Sequence, residues 1–357
     1  MIRQEIKKPL ETLAKLSDEQ GVFLPGQLDI IYKEKWLKLF VPRSQNGLEL
    51  TLIEGLEMEE ALARIDGSLG WTVTLCAGAS LFTGYLSPAV TGPVFRDPEV
   101  CFGGSGALSG TARETGEGYL VCGNWKYATG APYCTHFTAN CRIERNGKPV
   151  LNDKGAPLYR SFLFLREEVT LHKDWNTMGL KATASDSFSV SDLFVAKERS
   201  FMIDPLQTTL PGAVYQFPFL QFAEATLAVN TLGMAQHFLD ELEKLLQYKT
   251  ASGTLSTEQM SRIEQLRITA CDDLSRLRQS FFAAVAEAWE HTLAGRPVPE
   301  HQLEQVSRFS RGLARASRAQ VVQLYPYCGV AATQNDTTIN RIFRDIFTAS
   351  QHLLLNL

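Results

Sequence analysis

The spacing of hydrophobic residues divides the chain into three parts of different character. In the first part, apolar residues recur every three or four positions, which is typical of helices that bury one face. The fourth of these helices is rich in small residues, so other elements can pack close to it. Pro88 and Pro93 end the pattern and predict an N-terminal helical domain at 1–95. The predicted helices span 2–16, 29–39, 50–65 and 71–86.

The middle part, 96–210, replaces the helical period with short runs typical of β-strands. Glycine and threonine become more frequent, and turn signals such as Asn146-Gly147 separate the runs. Because no helical pattern lies between the runs, we predict a domain of antiparallel strands, arranged as a sandwich or barrel. The glycine-rich stretch 103–106 is interpreted as a loop that enters this domain. The predicted strands span 119–123, 136–143, 161–165 and 188–195.

The last part, 211–357, returns to long amphipathic helices. Ser256 and Gln259 form a capping-box pattern at the start of the second helix, and Gly295 ends that helix. Long amphipathic helices of this kind form a four-helix bundle. The predicted fold class is therefore an α+β multidomain protein, with a helical N-terminal domain, a middle antiparallel β domain and a C-terminal four-helix bundle. The predicted helices of the bundle span 219–248, 256–293, 300–324 and 336–357.

The final stretch, DTTINRIFRDIFTASQHLLLNL, places apolar and polar residues on separate stripes of its predicted helix. Spacings of three and four residues return to nearly the same angle around a helix. One stripe predicts a buried face, and the other brings an ion pair, a hydroxyl and an imidazole together. A solvated face that happens to carry a histidine explains the same pattern. The apolar stripe is Ile339, Ile342, Ile346 and Leu353, and the polar stripe is Arg341, Asp345, Thr348 and His352.

Composition limits the classes of partner. The chain has 357 residues, 45% of them hydrophobic and 21% charged, which is ordinary for a globular protein. Its formal net charge is −4 and it has no block of basic residues, so we expect neither nucleic acid nor membrane as a partner. Seven scattered cysteines without a metal-binding spacing predict reduced thiols. With no signal sequence and no apolar run of about 20 residues, we expect a cytoplasmic protein.

Common catalytic signatures are absent from the sequence, including the nucleophile elbow, the zinc-protease motif and the phosphate-binding loops. The most informative segment is 118–130, where a strand pattern leads to Trp125, Tyr127 and Thr129. Small residues and exposed backbone beside an aromatic side chain suit a flat heteroaromatic ligand. The end of a strand with two aromatic residues in the core would explain the segment equally well.

Four local motifs occur in the order found in one known family. Segment 60–71 is similar to the helix end "E-lar-d-S-gW", and segment 175–185 is similar to "W-xx-x-G-(m)-x-(g)T-x-S". Segment 191–195 resembles the strand "v-dv-fVP", and segment 341–345 resembles the terminal motif R-xx-RD. These are motifs of the acyl-CoA dehydrogenase superfamily, whose domain order is also the predicted one. The chain is identified as a member along essentially its whole length.

The resemblance implies a flavin bound between the middle domain and the C-terminal bundle. FAD is the expected cofactor, with FMN or reduced flavin supplied by a reductase as alternatives. By matching position, Thr129 would provide a hydroxyl or N–H near the N5 edge of the flavin. The implied cofactor-binding residues are Phe102, Ser105, Tyr127, Ala128, Thr129, Gly130, Trp175, Ser185 and Gly329, and the implied substrate-binding residues are Trp71, Leu75 and Phe219.

The sequence departs from classical acyl-CoA dehydrogenases where their base should stand. These enzymes use a glutamate after R-xx-RD to remove a proton from the substrate, but 346–357 contains no carboxylate. Glu224 is the alternative base, although Ala223 occupies the usual position and one residue turns a helix by about 100°. The pyrophosphate loop of the family is also reduced to one glycine, Gly329.

The departures resemble the two-component monooxygenase branch of the superfamily. Segment 110–130 is similar to the pattern "G-x-A…GGy-v-G-x-W-x-f-x-SG" of this branch, and His352 resembles its terminal histidine. An imidazole there can hydrogen-bond a flavin hydroperoxide or deprotonate a phenol-like substrate. Ala79 stands where the branch often has a second histidine.

The expected function is therefore a flavin-dependent monooxygenase acting on a small aromatic-like compound, with His352 as its catalytic residue. A divergent acyl-CoA dehydrogenase that uses Glu224, and a binding scaffold without flavin, remain as alternatives. The resemblance also implies a homotetramer and a partner that is a flavin reductase or an electron-transfer flavoprotein. No metal site is expected.

Overall fold

The computed structural model of the chain describes residues 2–152 and 154–356. A helical N-terminal part, a central β-sheet and a helical C-terminal part follow one another, so the predicted fold class is confirmed. Within the described ranges, every helix is either too short or too polar to traverse a lipid bilayer. The predicted end of the last helix, Leu357, lies outside these ranges.

Side-chain caps start three of the five N-terminal helices. They are α1 (Gln4–Gln20), α2 (Pro25–Lys33), α3 (Leu52–Ala63), α4 (Gly67–Ser80) and α5 (Pro88–Val94). Thr51 and Glu54 form a capping box at the start of α3. Asp66 caps α4 by accepting a hydrogen bond from the Leu69 N–H at 2.9 Å, which starts this helix before the predicted residue Trp71. Because α4 is buried almost all round, it occupies the centre of this part.

The central sheet contains the predicted strands and further ones. Its strands are β1 (Phe102–Glu114), β2 (Gly118–Trp125), β3 (His136–Arg145), β4 (Lys148–Pro149), β5 (Tyr159–Leu165), β6 (Thr170–His172), β7 (Ser187–Ala196) and β8 (Ser200–Phe201). Their order is β6-β7-β2-β1-β3-β5-β8, with β4 paired to β3. The prediction of antiparallel pairing holds for these neighbours except β1 and β3, which run parallel. The predicted strands correspond to β2, β3, β5 and β7.

The glycine-rich stretch 103–106 belongs to strand β1, so its interpretation as a loop is wrong. It pairs with β3 from Phe102 opposite His136, and the register shifts before Gly110. Gly104 has a φ of +152°, and a Cβ atom there would overlap the Thr138 carbonyl oxygen. Glycines allow this close approach but have low strand propensity, so the sequence pattern did not indicate the strand.

The C-terminal helices match the predicted ones closely. They are α6 (Ala213–Gln216), α7 (Phe219–Ala251), α8 (Thr257–Leu293), α9 (Glu300–Leu324) and α10 (Thr338–Ala349). The predicted capping box starts α8: the Gln259 N–H donates to Ser256 Oγ at 3.1 Å, and the Ser256 N–H donates to Gln259 Oε1 at 3.0 Å. Helices α8 and α9 end at the predicted residues, and α7 extends three residues past its predicted end at 248.

Helix α10 ends at Ala349, so the predicted helix through 357 is too long. His352 follows a bend and begins a short 3₁₀ turn, and it does not continue the polar stripe of α10. The Asn356 side-chain amide stabilises the bend by donating to the Ser350 carbonyl at 2.8 Å and the His352 carbonyl at 3.0 Å. Leu353 is 68% exposed, so its assignment to the buried face is wrong.

Buried charged residues connect α10 to the N-terminal helices. Arg341 Nε lies 3.3 Å from Asp66 Oδ2, at the start of α4. Arg344 Nη2 lies 2.7 Å from Asp18 Oδ2 on α1. Arg341 and Asp345, predicted to pair with each other, therefore have different partners. Removing one member of a buried pair leaves an uncompensated charge, so these contacts fix the position of α10.

A second set of contacts connects α10 to the loop between β6 and β7. Asp345 is 1% exposed, and its Oδ1 accepts a hydrogen bond from the Leu180 N–H at 2.6 Å. Arg344 Nη1 donates to the Met178 carbonyl oxygen at 2.6 Å. Gly179 lies between these two contacts, and a Cβ atom there would overlap the Arg344 carbonyl. Helix α10 is thereby bonded to both the N-terminal helices and the sheet domain.

We predict that Asp345 makes the stability of the fold depend on pH. Burial, and then the nearby Asp66 carboxylate, raise the pKa of Asp345 to about 8. The folded protein then holds a proton that the unfolded chain releases near pH 4, so stability falls as the pH rises from about 4 to about 8. Asp345→Asn keeps an acceptor for Leu180 and has no proton to lose. Between about pH 6 and pH 8.5, the melting temperature of the wild type should fall by at least about 2 °C relative to this variant.

The exposed Asp336, which pairs with Lys15, provides the control for this experiment. Asp336→Asn should keep the wild-type dependence of melting temperature on pH. Parallel curves for the wild type and Asp345→Asn would contradict the assignment.

Candidate active site

A cavity of about 210 Å³ lies where α4, β1, β3, α7 and the segment after α10 meet. Aromatic and aliphatic side chains form much of its wall, and the polar groups at its surface are hydroxyls, an amide, an imidazole and backbone. Such a site suits a small, flat and largely apolar molecule. Its aromatic residues are Phe82, Phe219 and Phe222, and its hydroxyl and amide residues are Thr74, Ser105, Thr129, Thr138, Asn140, Ser161 and Thr226.

His352 is the only ionisable side chain among the described residues that line this cavity. Its ring meets the Trp71 ring edge-on, with 6.0 Å between centroids. Its Nδ1 accepts a hydrogen bond from the Leu354 N–H at 3.3 Å, which assigns the ring proton to Nε2. Burial lowers the pKa of His352, so the imidazole is neutral near pH 7 and its Nε2–H is a hydrogen-bond donor.

The segment 127–130 borders the cavity at Thr129 and lies against the segment 183–186. The Ala128 N–H donates to the Asp186 carbonyl at 3.0 Å, and the Gly130 N–H donates to the Thr183 carbonyl at 2.8 Å. Thr129 Oγ1 and Ser185 Oγ lie 3.0 Å apart and share a hydrogen bond. Three of the predicted cofactor residues, Thr129, Gly130 and Ser185, are therefore brought together, and the buried Ala128 lies between them and Tyr127.

Tyr127 and Trp175 lie together on the outer side of this segment. Tyr127 is 66% exposed and has a φ of +67°, and its ring meets the Trp175 ring edge-on at 5.9 Å. Trp175 is held by a hydrogen bond from its Nε1 to the Leu180 carbonyl at 2.9 Å. The structure thus places these two predicted residues beside each other and outside the cavity lining.

These residues fit the edge of a flavin. The backbone N–H of Thr129 has no hydrogen-bond partner among the described residues, although the residue is only 5% exposed. Buried N–H groups rarely lack a partner, so this donor is suited to an acceptor atom of a ligand. The neighbouring pair of hydroxyls and the exposed ring of Tyr127 supply further polar and flat surfaces for a heteroaromatic cofactor.

Two predicted cofactor residues lie elsewhere. Phe102 is fully buried and packs between Phe95 and His136, at 5.3 and 5.0 Å between ring centroids, so its side chain faces the core. Gly329 has a φ of +80° and follows the turn whose carbonyls accept hydrogen bonds from Lys249 Nζ at the end of α7. Neither residue lines the cavity. In contrast, the predicted Ser105, Leu75 and Phe219 do.

The structure does not bring Glu224 into the cavity. Ala223 lines the cavity, and Glu224, one residue further along α7, turns toward α9. Its Oε1 accepts a hydrogen bond from Arg311 Nη1 at 3.1 Å. The assignment of Glu224 as an alternative base therefore fails on position, because a base must reach the proton that it removes.

Sequence reasoning missed the polar residues that β3 and β5 contribute. The Ser161 hydroxyl donates to Asn140 Oδ1 at 2.7 Å, and Asn140 Nδ2 donates to the Gly106 carbonyl at 2.9 Å. Both residues line the cavity together with Thr138. The alternation of side chains along the predicted strand at 136–143 was the available signal, since it puts Thr138 and Asn140 on one face. Which face met the cavity depended on the unpredicted strand β1.

Residues 225–357 match the family described as "Acyl-CoA dehydrogenase, C-terminal domain". The chain is 24% identical to an indole-3-acetate monooxygenase of Pseudomonas putida over 321 residues, which cover 89% of this chain and 80% of the relative. It is also 24% identical to the flavin-dependent monooxygenase, oxygenase subunit HsaA, of Mycobacterium tuberculosis over 330 residues, covering 88% and 80% of the two chains.

A solved structure supports the fold over the whole chain. XiaF from Streptomyces sp., in complex with FADH2 and glycerol, superimposes with a TM-score of 0.83 at 20% sequence identity. The match covers 99% of this chain and 90% of that chain. The acyl-CoA dehydrogenase-like fold, expected from four short motifs, is thereby confirmed.

We predict that the His352 imidazole is neutral with its proton on Nε2. Because burial lowers its pKa, this histidine should gain a proton only below the ordinary value of about 6.5. Long-range ¹H–¹⁵N spectra recorded through a pH titration report both the pKa and the tautomer. The His352→Gln variant assigns the signal by its disappearance. A proton on Nδ1 at pH 7, or a pKa above about 6.5, would show that the geometry is assigned wrongly.

Proposed function

We propose that the chain is the oxygenase component of a two-component monooxygenase of the acyl-CoA dehydrogenase superfamily, because residues 225–357 match the C-terminal domain of that family and the chain's relatives include flavin-dependent monooxygenases. The reaction would add one atom of O₂ to a small organic substrate and reduce the other atom to water. The chemistry of the cavity wall carries this proposal, because His352 is the only ionisable side chain among the described lining residues.

The wall chemistry disfavours the dehydrogenase alternative. Removal of a proton next to a thioester needs a base within hydrogen-bond reach of that proton. The described lining residues include no carboxylate, and Glu224 pairs with Arg311 outside the cavity.

A reduced flavin, when bound, supplies the electrons and the atom at which O₂ is activated. We propose that the free Thr129 N–H holds the edge of this cofactor and that Ser185 orients the Thr129 hydroxyl. The apolar walls exclude water from the reacting atoms. The neutral His352 donates its Nε2–H to an oxygen atom in the cavity. This donation polarises the oxygen without bringing a full charge into an apolar site, where an unpaired charge is costly.

FAD is the proposed cofactor, since XiaF, a protein of the same fold, contains FADH2. The relative from M. tuberculosis is an oxygenase subunit, so we propose that a separate flavin reductase supplies the reduced cofactor. We further propose a homotetramer in which Gly329 lies near the cofactor of a neighbouring subunit. The proposed domains are 1–95, 96–210 and 211–357. All seven cysteines are free thiols, which suits the reducing cytoplasm.

The substrate is proposed to be a small, flat and uncharged aromatic molecule. Phe82, Phe219 and Phe222 provide apolar surfaces for stacking, and Asn140 and Ser161 provide polar atoms. Among the described lining residues, no lysine or arginine is present to pair with an anionic substrate. The chain should therefore prefer neutral aromatic compounds over carboxylates such as indole-3-acetate, the substrate named for one relative.

We predict oxygen transfer by the purified chain supplied with chemically reduced FAD and ¹⁸O₂. A panel that contains indole, a simple phenol and indole-3-acetate should give a product with one ¹⁸O atom from a neutral member, detected by mass spectrometry. An acyl-CoA that is oxidised to an enoyl-CoA with an artificial electron acceptor would instead support the dehydrogenase. Absence of FAD and FMN binding in a titration would support the scaffold that lacks flavin.

We predict that His352→Ala separates cofactor oxidation from substrate oxygenation. Loss of the Nε2–H donor should lower product formation about 10- to 100-fold while reduced flavin is still oxidised, so hydrogen peroxide replaces product. His352→Gln restores a donor and should recover part of the coupling. Glu224→Gln should leave the ratio of product to peroxide unchanged. If His352→Ala keeps the wild-type ratio, the role of His352 is refuted.

A further inference from the structure

Three cysteine side chains meet immediately behind the cavity wall. Cys76 belongs to α4, Cys101 precedes β1, and Cys134 follows the short turn after Gly130. Their sulfur atoms all lie within 4.8 Å of one another. The residues are 0%, 1% and 2% exposed, respectively. Elements far apart in the sequence thus bring three soft donor atoms to one point, which we call the thiol cluster.

The sulfur positions suit a single ion or atom at their centre. The Cys101 and Cys134 sulfur atoms are 3.9 Å apart. A trivalent metalloid binds three sulfurs in a pyramid, and bonds of about 2.3 Å then place the sulfurs about 3.5 Å apart. The thiol cluster is therefore slightly wider than such a site and needs only small side-chain movements to close around it. Zinc would need a fourth ligand, and no histidine or carboxylate joins the group among the described residues.

The surroundings of the thiol cluster determine which ligand charge is favourable. Cys76 Sγ lies 3.5 Å from the Thr129 carbonyl oxygen, and Cys134 Sγ lies 3.3 Å from the Gly130 carbonyl oxygen. No lysine, arginine or histidine donates a hydrogen bond to these three sulfurs within the described residues. Three thiolates around a monovalent or divalent ion would leave a net negative charge in the core, at a cost of several kcal/mol. Three thiolates around a trivalent centre leave no net charge.

We propose that Cys76, Cys101 and Cys134 form a binding site for a trivalent, thiophilic metalloid, with arsenite as its representative ligand. Binding is an exchange without oxidation or reduction: As(OH)₃ and three Cys–SH groups give As(S–Cys)₃ and three molecules of water. Each thiol proton leaves with one hydroxide of the arsenite. Soft thiolate donors favour such centres over hard, oxygen-seeking cations. The proposal does not depend on the reaction that the cavity carries out.

The cavity provides a route to the thiol cluster. Gly103 lines the cavity, and a Cβ atom at this position would overlap the Cys134 sulfur, so only the backbone of β1 separates the two. Thr129, which also lines the cavity, accepts a hydrogen bond from Cys76 at its carbonyl oxygen. A small neutral molecule such as As(OH)₃ can therefore reach the sulfurs through local opening of one backbone layer.

Arsenic binding to the full-length chain tests the proposal. Wild-type protein is incubated with arsenite under reducing conditions and desalted, and the bound arsenic is measured by elemental mass spectrometry. We expect one arsenic atom per chain, with three sulfur neighbours in its X-ray absorption spectrum. Cys76→Ala, Cys101→Ala and Cys134→Ala should each weaken binding by at least about tenfold. Cys328→Ala removes an equally buried thiol near the end of α9 and should leave binding unchanged.

The absorption spectrum requires no variant, so the test stands even where a substitution in the core impairs folding. Far-ultraviolet circular dichroism identifies the variants that fold. The proposal is overturned if the wild type binds no arsenic, if fewer than three sulfurs surround it, or if Cys328→Ala abolishes binding. Binding of zinc in equal amount without binding of arsenite would overturn the charge argument and the proposal with it.

Discussion

The fold depends on the partners of three buried polar side chains on α10. Arg341 and Arg344 cannot be left unpaired in the core, because an isolated buried charge costs several kcal/mol, and the protonated Asp345 carboxyl still needs its hydrogen bond to Leu180. Their partners come from α1, from the start of α4 and from the loop between β6 and β7. One short helix is therefore fixed against elements from the N-terminal part of the chain and from the sheet domain. Because His352 follows this helix by only a few residues, the same contacts fix the point from which the turn that carries the imidazole begins.

The cavity differs from the surroundings of α10, since none of its described lining residues carries a charged side chain near pH 7. Its polar groups are hydroxyls, amides and backbone, and the imidazole beside Trp71 is held neutral by burial. In such a low-dielectric space, a hydrogen-bond donor interacts strongly with an oxygen atom that gains negative charge. Charged side chains are thus concentrated at the contacts of α10, and they are absent from the described lining of the cavity, where the proposed chemistry takes place.

The sequence predicted the elements whose signals are local. The capping box at Ser256 and the period of α8 and α9 located these helices to within one residue, and alternation located β2, β3, β5 and β7. Strand β1 was not predicted, because its glycines allow neighbouring backbone to approach closely but have low strand propensity. The end of α10 was predicted too far along the chain, because the bend before His352 depends on a contact from Asn356. The family motifs indicated Thr129, Ser185 and His352, but the partners of each residue came from distant segments.

The 3₁₀ turn that carries His352 has a consequence for how heat and sequence changes affect the protein. The ring is oriented by the Leu354 N–H, and the turn is held by the amide of Asn356, whereas α10 is fixed by buried ion pairs. Local opening of the turn would require far less free energy than unfolding of the domain. The imidazole can therefore lose its alignment while every helix and strand stays in place. We therefore expect the fold and the proposed catalytic imidazole to have separate thermal limits, and the lower limit depends on a few residues at the edge of the bundle.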